Sequence, residues 1–335
     1  MQPLDVQVVD QAISWCDGGQ DFWLCTVLST FGSSPRAPGS WLVAQANGDH
    51  CGSLSGGCVE EDFLERLQEG EFQGRINRIR YGAADGLDNP RVSLPCGGVL
   101  DVLIEYFPAS ASSREHFLAL RAALNGQGHV VRRVCLKTGE ASIEPDRETG
   151  QKVMEDETTA TLKLRVGPVS RLLIAGLSPV ASACASFAHS LGFEVIVCDP
   201  RHEEVCNFNV PGVTLRQELP SVWIAREGCH GATAVVALTH DPKIDDTALM
   251  EAVKTDAFYI GVMGSLRTSE KRRERLLRIG GLNEQQVEQI RMPIGLNIGS
   301  KTPAEIALAV MADIIRVREG IPPHKVVSRL TPVTH

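Results

Sequence analysis

The chain has 335 residues, of which 43% are hydrophobic and 22% charged, and its formal net charge is −8. This length predicts two domains, or two with an insert, and a substantial core. The composition argues against disorder, the negative charge argues against nucleic-acid binding, and no apolar run is long enough for a membrane span. Because the N-terminus also lacks a basic region followed by an apolar stretch, we expect a cytoplasmic protein.

Residues 1–107 predict a first domain that mixes helices and strands. The predicted elements are a helix at 5–16, strands at 22–28, 41–46, 73–81 and 99–107, and a helix that begins at or just after Cys58. The Asn47-Gly48 pair is a hairpin turn signal and favours pairing of strands 22–28 and 41–46. The alternating pattern at 73–81 is typical of an edge strand.

Within this domain, residues 31–67 crowd small residues around one Arg, two Cys and two consecutive Glu. A loop of Ser and Gly precedes Cys58, and unpaired N–H groups at a helix start favour thiolate or phosphate. Glu60 and Glu61 act against such a site. The alternative is that Gly56 and Gly57 only form a turn and that Cys58 is a small buried residue.

Cysteines are numerous but are not arranged as a zinc site. None of the ten forms a C-x-x-C motif, and several lie inside apolar runs where a strand core explains them. Cys96-Gly97-Gly98, directly before the strand at 99–107, repeats the combination of small residues and Cys, although a plain turn is the alternative.

Residues 108–169 predict a linker followed by a small β-rich unit. The segment 108–113 has linker composition, residues 114–125 fit a helix, and strands are expected at 129–136 and 160–166. We assign no chemistry to this unit.

Residues 170–335 predict a second domain with a parallel sheet, because strands alternate with helices. The predicted strands are 172–175, 194–198, 234–238 and 258–262, and the predicted helices are 180–191, 244–254, 267–278, 283–289 and 303–318. The last helix has the clearest start, since Thr302 is a candidate N-cap, Pro303 follows it and Glu305 completes a capping box.

The first strand-to-helix turn of this domain, GLSPVA at 176–181, is an incomplete dinucleotide-binding fingerprint. Gly176 matches the first Gly, Ser178 stands where the second Gly would approach pyrophosphate, and Asp199 is suitably placed for a ribose. The turn therefore leaves open a nicotinamide site, another nucleotide, or a Rossmann-like sheet without a cofactor.

Further loops follow other strands of the same predicted sheet. His240 and Asp241 could contact a polar ligand, and Gly264, Ser265 and Arg267 predict an anion site at a helix start. A third small-residue loop, which contains Asn297, leads into the helix at 303–318.

Taken together, these segments resemble the XdhC/CoxI family, the accessory proteins of xanthine dehydrogenase and related molybdenum hydroxylases. The resemblance rests on GSSPRAPGSWLVAQANGDHCGSLSGGCVEE at 32–61, PCGGVLDVLIE at 95–105, LTHDPKIDD at 238–246, YIGVMGSLRT at 259–268 and PIGLNIGSKTPAEIALAVMADII at 293–315. It implies an α/β fold class, with an N-terminal α+β XdhC/CoxI-type domain followed by a Rossmann-like parallel-sheet domain.

The resemblance also implies a function. Such a protein binds the molybdopterin-type molybdenum cofactor, protects it during sulfuration with a cysteine desulfurase, and inserts it into an apo-hydroxylase. We expect a chaperone rather than an enzyme, a homodimer, and no membrane or nucleic-acid partner. The cytosine dinucleotide form of the cofactor stays open, and NAD(P) is disfavoured because GLSPVA departs from the glycine-rich turn of the family.

By position, Cys58 and Cys96 match the cysteines of the family and are the candidates for contact with molybdenum or its sulfur, while Arg36 matches a basic residue. The full set of predicted cofactor-binding residues is Ser34, Arg36, Gly56, Gly57, Cys58, Cys96, Gly97, Gly98, Gly176, Ser178, Asp199, His240, Asp241, Gly264, Ser265, Arg267 and Asn297. Two other hypotheses remain: an NAD(P)-dependent oxidoreductase that uses the Rossmann-like domain, and an adaptor that only docks to the target enzyme.

Overall fold

A computed structural model describes residues 3–31, 36–82, 99–146 and 151–322. The chain divides into two compact units, one from Pro3 to Val169 and one from Ser170 onward. The finer division predicted at residue 107 stays a prediction. Within the described ranges, no helix is both long enough and apolar enough to cross a bilayer.

The first unit contains three helices and two antiparallel sheets in its described part. Its elements are α1 (Leu4–Asp17), β1 (Phe22–Phe31), β2 (Trp41–Ala44), β3 (His50–Gly52), α2 (Cys58–Gln68), β4 (Ile76–Tyr81), β5 (Val99–Phe107), α3 (Ala111–Leu124), β6 (Val130–Cys135), β7 (Ala141–Pro145), β8 (Val153–Asp156) and β9 (Thr161–Val166). The larger sheet has the order β3-β2-β1-β5-β4 and the smaller one the order β7-β6-β9-β8. The edge position predicted for residues 73–81 is confirmed by β4.

Alternation along the strands explains how the larger sheet is covered on both faces. Leu24 and Val43 pair across β1 and β2 and pack in the core that contains α1 and α3. Cys25 and Leu42, one residue further along, pack with α2 in a second core. The predicted pairing of these strands is confirmed, but the Asn47-Gly48 turn joins β2 to β3, because β2 already ends at Ala44.

The second unit is a doubly wound parallel sheet. Its elements are β10 (Arg171–Ala175), α4 (Pro179–Ser190), β11 (Glu194–Cys198), α5 (His202–Asn207), β12 (Thr214–Arg216), α6 (Pro220–Glu227), β13 (Thr233–Ala237), α7 (Pro242–Ala252), β14 (Tyr259–Val262), α8 (Leu266–Arg278), α9 (Glu284–Glu288), β15 (Ile290–Arg291) and α10 (Pro303–Arg318). The strand order is β12-β11-β10-β13-β14-β15, with every pair parallel.

Helices cover both faces of this sheet, with α4 and α10 in one core and α6, α7, α8 and α9 in the other. All five residues of β13 are buried, as expected for a central parallel strand. The predicted Rossmann-like sheet is therefore confirmed. The prediction missed β12 and β15, because strands of three and two residues show too little periodicity to be recognised, and it also missed the short helices α5 and α6.

The register of this sheet determines which loops become neighbours. Ala175 pairs with both Cys198 and Ala237, and Ala237 pairs with Val262. The loops that follow β11, β10, β13 and β14 therefore emerge side by side from the carboxyl edge. Strands β11 and β12 lie on one side of β10, and β13, β14 and β15 lie on the other side. Ligands of such sheets bind at the carboxyl edge where this change of side occurs, here between β10 and β13.

Candidate functional site

In the first unit, the loop before Cys58 is wrapped around a carboxylate of the protein itself. Glu60 Oε1 accepts from the N–H groups of Leu54, Ser55 and Gly56 and from the Ser53 hydroxyl, all at 2.8–2.9 Å. Its Oε2 accepts from the Gly57 N–H and the Ser55 hydroxyl, both at 2.9 Å. Six donors thus converge on one side chain.

The charge state of Glu60 follows from these contacts. Burial by itself would raise the pKa of this carboxyl, but the N–H groups of Ser55, Gly56, Gly57 and Leu54 outweigh burial and lower the pKa to about 2. Glu60 is therefore ionised at neutral pH. It occupies the place that the sequence suggested for an external anion, because an N–H group bonded to Glu60 is not available to a ligand.

Cys58 is the first residue of α2 and is exposed, so the alternative of a buried Cys58 is wrong. Gly56 has φ +86°, the left-handed region that favours glycine, and an added Cβ there would contact no other atom within 4 Å. Cys58 thus directly follows a loop that is held by its hydrogen bonds to Glu60, and the residue is exposed to solvent.

The remaining predicted residues of the first unit are only partly described. Arg36 Nη2 lies 3.8 Å from Asp5 Oδ1 on α1. Ser34, Cys96, Gly97 and Gly98 lie outside the described residues. The predicted contact of Cys58 and Cys96 with molybdenum therefore stays a prediction.

In the second unit, the turn after β10 is closed by hydrogen bonds within the protein. The Leu177 N–H donates to Asp199 Oδ2 at 2.6 Å, and the Arg201 guanidinium donates to the same oxygen at 2.6 Å and to the Leu177 carbonyl at 2.8 Å. Ser178 is the N-cap of α4 and accepts from the Ala181 N–H. Asp199 is fully buried, so the side chain predicted to contact a ribose instead holds the turn together.

The turn after β10 also touches the loop after β13. Gly176 has φ +81°, and an added Cβ would lie 1.9 Å from Thr239 Cγ2, so only glycine is compatible with this approach. Asp241 lies close enough to Arg201 to act on its charge and raise its pKa, after the larger effects of Asp199. The structure thus brings together the predicted residues Gly176, Asp199 and Asp241.

In the loop after β13, the Asp245 carboxylate accepts hydrogen bonds from the backbone, as Glu60 does in the loop before Cys58. Asp245 Oδ1 accepts from the Thr239 N–H and hydroxyl, and its Oδ2 accepts from the His240 N–H and from Arg272. Burial raises the pKa of Asp245, while the bonds from Thr239 and the charge of Arg272 act against that rise. His240 itself is exposed and has φ +68°.

The helix start after β14 is capped by its own side chains. Ser265 is the N-cap of α8 and accepts from the Thr268 N–H, and an added Cβ on Gly264 would lie 2.7 Å from the Thr268 hydroxyl. Arg267 and Asn297 are exposed. In the part of the chain that is described, no group of three His, Cys, Asp or Glu side chains forms a metal site.

The acidic residues at these loops have roles that were not predicted from the sequence. Glu60 was expected only to disfavour an anion, and Asp245 had no predicted role. A signal is present for Glu60, because a Glu three residues after a helix N-cap commonly bonds back to the N-cap N–H. The contact of Arg272 with Asp245, 27 residues away, has no local signal.

Two family models match the chain. The model of the XdhC and CoxI family matches residues 15–82, and that of the XdhC Rossmann domain matches residues 172–314. The first match includes Cys58 and Glu60, and the second includes the carboxyl-edge loops of the parallel sheet.

Relatives match both units together. The chain is 29% identical over 308 residues to the molybdenum cofactor insertion chaperone PaoD of Escherichia coli, covering 90% of this chain and 84% of PaoD. It is 27% identical over 318 residues to a Bacillus subtilis protein described as a probable xanthine dehydrogenase subunit, covering 89% of this chain and 93% of that protein.

A crystal structure described as a xanthine dehydrogenase from Bacillus halodurans has the same fold. The TM-score is 0.67, the sequence identity is 24%, and the match covers 96% of each chain. Because both family models match, one in each unit, and the relatives span both units, the chain belongs to the XdhC and CoxI family.

Proposed function

We propose that this protein is a molybdenum cofactor-binding chaperone, which protects the cofactor, supports its sulfuration and inserts it into a xanthine dehydrogenase-type hydroxylase. The observation that carries the proposal is the similarity to the chaperone PaoD across both units. The exposed Cys58, directly after the loop that is bonded to Glu60, supports it further, because a thiol is a suitable ligand for molybdenum or its sulfur.

Cofactor analysis tests this proposal directly. The protein is purified from cells that make the cofactor and is denatured, and the released pterin is measured per mole of protein. We expect pterin from the unaltered protein and a large loss from a Cys58→Ala/Cys96→Ala variant. Cys206→Ala is the matched control, since Cys206 is an exposed free thiol on α5 and is not a predicted cofactor ligand. Absence of pterin, or equal pterin in the double variant, would contradict the proposal.

Three finer parts of the proposal need their own measurements. Mass spectrometry of the released pterin distinguishes the plain form from the cytosine dinucleotide. Reactivation of an apo-hydroxylase, with and without a cysteine desulfurase, tests insertion and sulfuration. Sedimentation of the purified protein tests the proposed homodimer.

The oxidoreductase hypothesis makes a different prediction for the second unit. A nicotinamide cofactor would need the turn after β10 and the carboxylate of Asp199, but Leu177 and Arg201 already bond to that carboxylate. We therefore expect no saturable change in NADH fluorescence on titration with the protein. Saturable binding with consumption of NADH would support the oxidoreductase instead.

A further inference from the structure

A cleft in the first unit is lined by residues that are not among those predicted to bind the cofactor. Its volume is about 130 Å3, and the residues that line it include Arg75, Glu105, Ser112, His116 and Gly139. A space of this size accommodates a molecule of a few heavy atoms.

The base of the cleft is a buried network. Arg132 Nη1 and Nη2 donate to the two carboxylate oxygens of Glu105 at 2.8 and 2.7 Å, and both side chains are almost fully buried. The pair is neutral overall. The Arg132 guanidinium therefore balances the negative charge that Glu105 would otherwise present to the cleft.

His116 is held in one tautomer by the same arginine. Arg132 Nε donates to His116 Nε2 at 2.8 Å, so Nε2 is an acceptor and the proton of the neutral ring is on Nδ1. Burial, followed by the nearby charge of Arg132, lowers the pKa of His116 to about 3, so the ring is neutral at pH 7. Within the described part of the chain Nδ1 has no protein partner, and His116 can offer an N–H donor to the cleft.

Arg75 provides a positive charge at the same cleft. Its carbonyl accepts from the Tyr106 N–H at 3.0 Å, and its Cβ lies close to Gly139, which also lines the cleft. The residue is exposed, and none of the described acidic side chains forms an ion pair with it. Its guanidinium therefore retains donors for a ligand.

The start of α3 adds polar groups to the wall. Ser110 accepts from the Ser113 N–H, and the Ser113 hydroxyl donates to the Pro108 carbonyl, so both hydroxyls are engaged in the cap. Ser112 is exposed, and its hydroxyl forms no hydrogen bond with the described residues. The groups available to a ligand are thus the Arg75 guanidinium, the Nδ1–H of His116 and the Ser112 hydroxyl. The charge of Glu105 is balanced by Arg132.

We propose that this cleft binds a small oxyanion between the Arg75 guanidinium, the Nδ1–H of His116 and the Ser112 hydroxyl. The ligand chemistry is that of inorganic phosphate or a short carboxylate, because the cleft is small and its free groups are donors. The site is independent of the proposed function, since it uses none of the residues predicted to contact the cofactor.

Calorimetric titration of the full-length protein with inorganic phosphate, and separately with acetate, tests this site at low ionic strength. We expect saturable binding of one of them, weakened about tenfold or more in Arg75→Ala, because a charge-assisted hydrogen bond is lost. Arg133→Ala is the matched control and should leave binding unchanged, since Arg133 is an exposed arginine of β6 that does not line the cleft and pairs with Glu144.

Thermal unfolding gives a second readout, because a ligand that binds only the folded state raises the melting temperature. The non-specific effect of salt should be equal in the unaltered protein and in Arg75→Ala, while the saturable increase should be absent from the variant. The proposal fails if neither anion binds saturably at millimolar concentration, or if Arg75→Ala binds as tightly as the unaltered protein.

Discussion

At the scale of single residues, carboxylates of the protein accept the hydrogen bonds of loops in which the sequence predicts ligand-binding residues. Glu60 takes up the donors of residues 53–57, Asp245 those of residues 239–240, and Asp199 the N–H of Leu177. In each case a carboxylate of the protein accepts hydrogen bonds from backbone N–H groups of the loop. The protein thus keeps small-residue loops rigid without a ligand.

Replacing Glu60 should show how far this loop depends on its carboxylate. In Glu60→Gln the uncharged amide accepts fewer and weaker hydrogen bonds, so we expect the free energy of unfolding to fall by about 2–3 kcal/mol. Urea denaturation measures this change. Glu61→Gln is the control, since Glu61 is exposed, and it should have an effect below about 0.5 kcal/mol.

The same variant should alter the response to acid. The pKa of Glu60 is lowered in the folded protein, so its contribution to stability is present above pH 4.5 and is lost as the pH falls towards 2. The difference in stability between the unaltered protein and Glu60→Gln should therefore shrink over this range. A difference that stays constant from pH 6 to pH 3 would contradict the role given to Glu60.

At the scale of elements, a buried ion pair connects the two sheets of the first unit. Glu105 on β5 and Arg132 on β6 form the pair, and His116 on α3 accepts the third hydrogen bond from the arginine. Three separate elements are thereby held at one point. Such a pair contributes little net stability compared with apolar residues, but breaking it leaves an isolated buried charge.

Single and double substitutions of this ion pair should therefore differ in their effect on stability. Arg132→Met should lower the free energy of unfolding by about 3–5 kcal/mol, because Glu105 remains buried without a partner. Arg132→Met/Glu105→Leu should recover most of that loss, as measured by urea denaturation of both variants. A double variant no more stable than the single one would show that the pair stabilises the junction of the sheets by itself.

At the scale of the whole molecule, the chain consists of two units, each with its own cores and sheets. The cores of residues 3–169 are built from the two antiparallel sheets and their helices, and those of residues 170–322 from the parallel sheet. A unit that buries its own apolar surface is expected to fold without the rest of the chain.

We therefore expect residues 3–169 and residues 170–335, produced separately, each to give a cooperative thermal transition by circular dichroism. The amide spectrum of each fragment should be well dispersed. A fragment that shows no cooperative transition would mean that its fold requires the other unit, and the two-unit description would then be wrong.

The sequence alone determined the elements that depend on local pattern. Alternation, helical periodicity and the Thr302–Glu305 capping box are short-range properties, so the parallel sheet and the start of α10 could be predicted from them. The small-residue loops with Cys58 and Gly176 could also be located. Short elements such as β12 and β15 could not, because two or three residues carry no periodicity.

Only the tertiary structure decided which groups in those loops remain available to a ligand. Whether an N–H group is available depends on a carboxylate that reaches it from another turn or strand, as Asp199 reaches Leu177 across 22 residues. The network of Glu105, Arg132 and His116 likewise joins residues that are neighbours only after the sheets have formed. Hydrogen bonds at a site are set by distance in space, and a sequence pattern gives that distance only for residues within a few turns of each other.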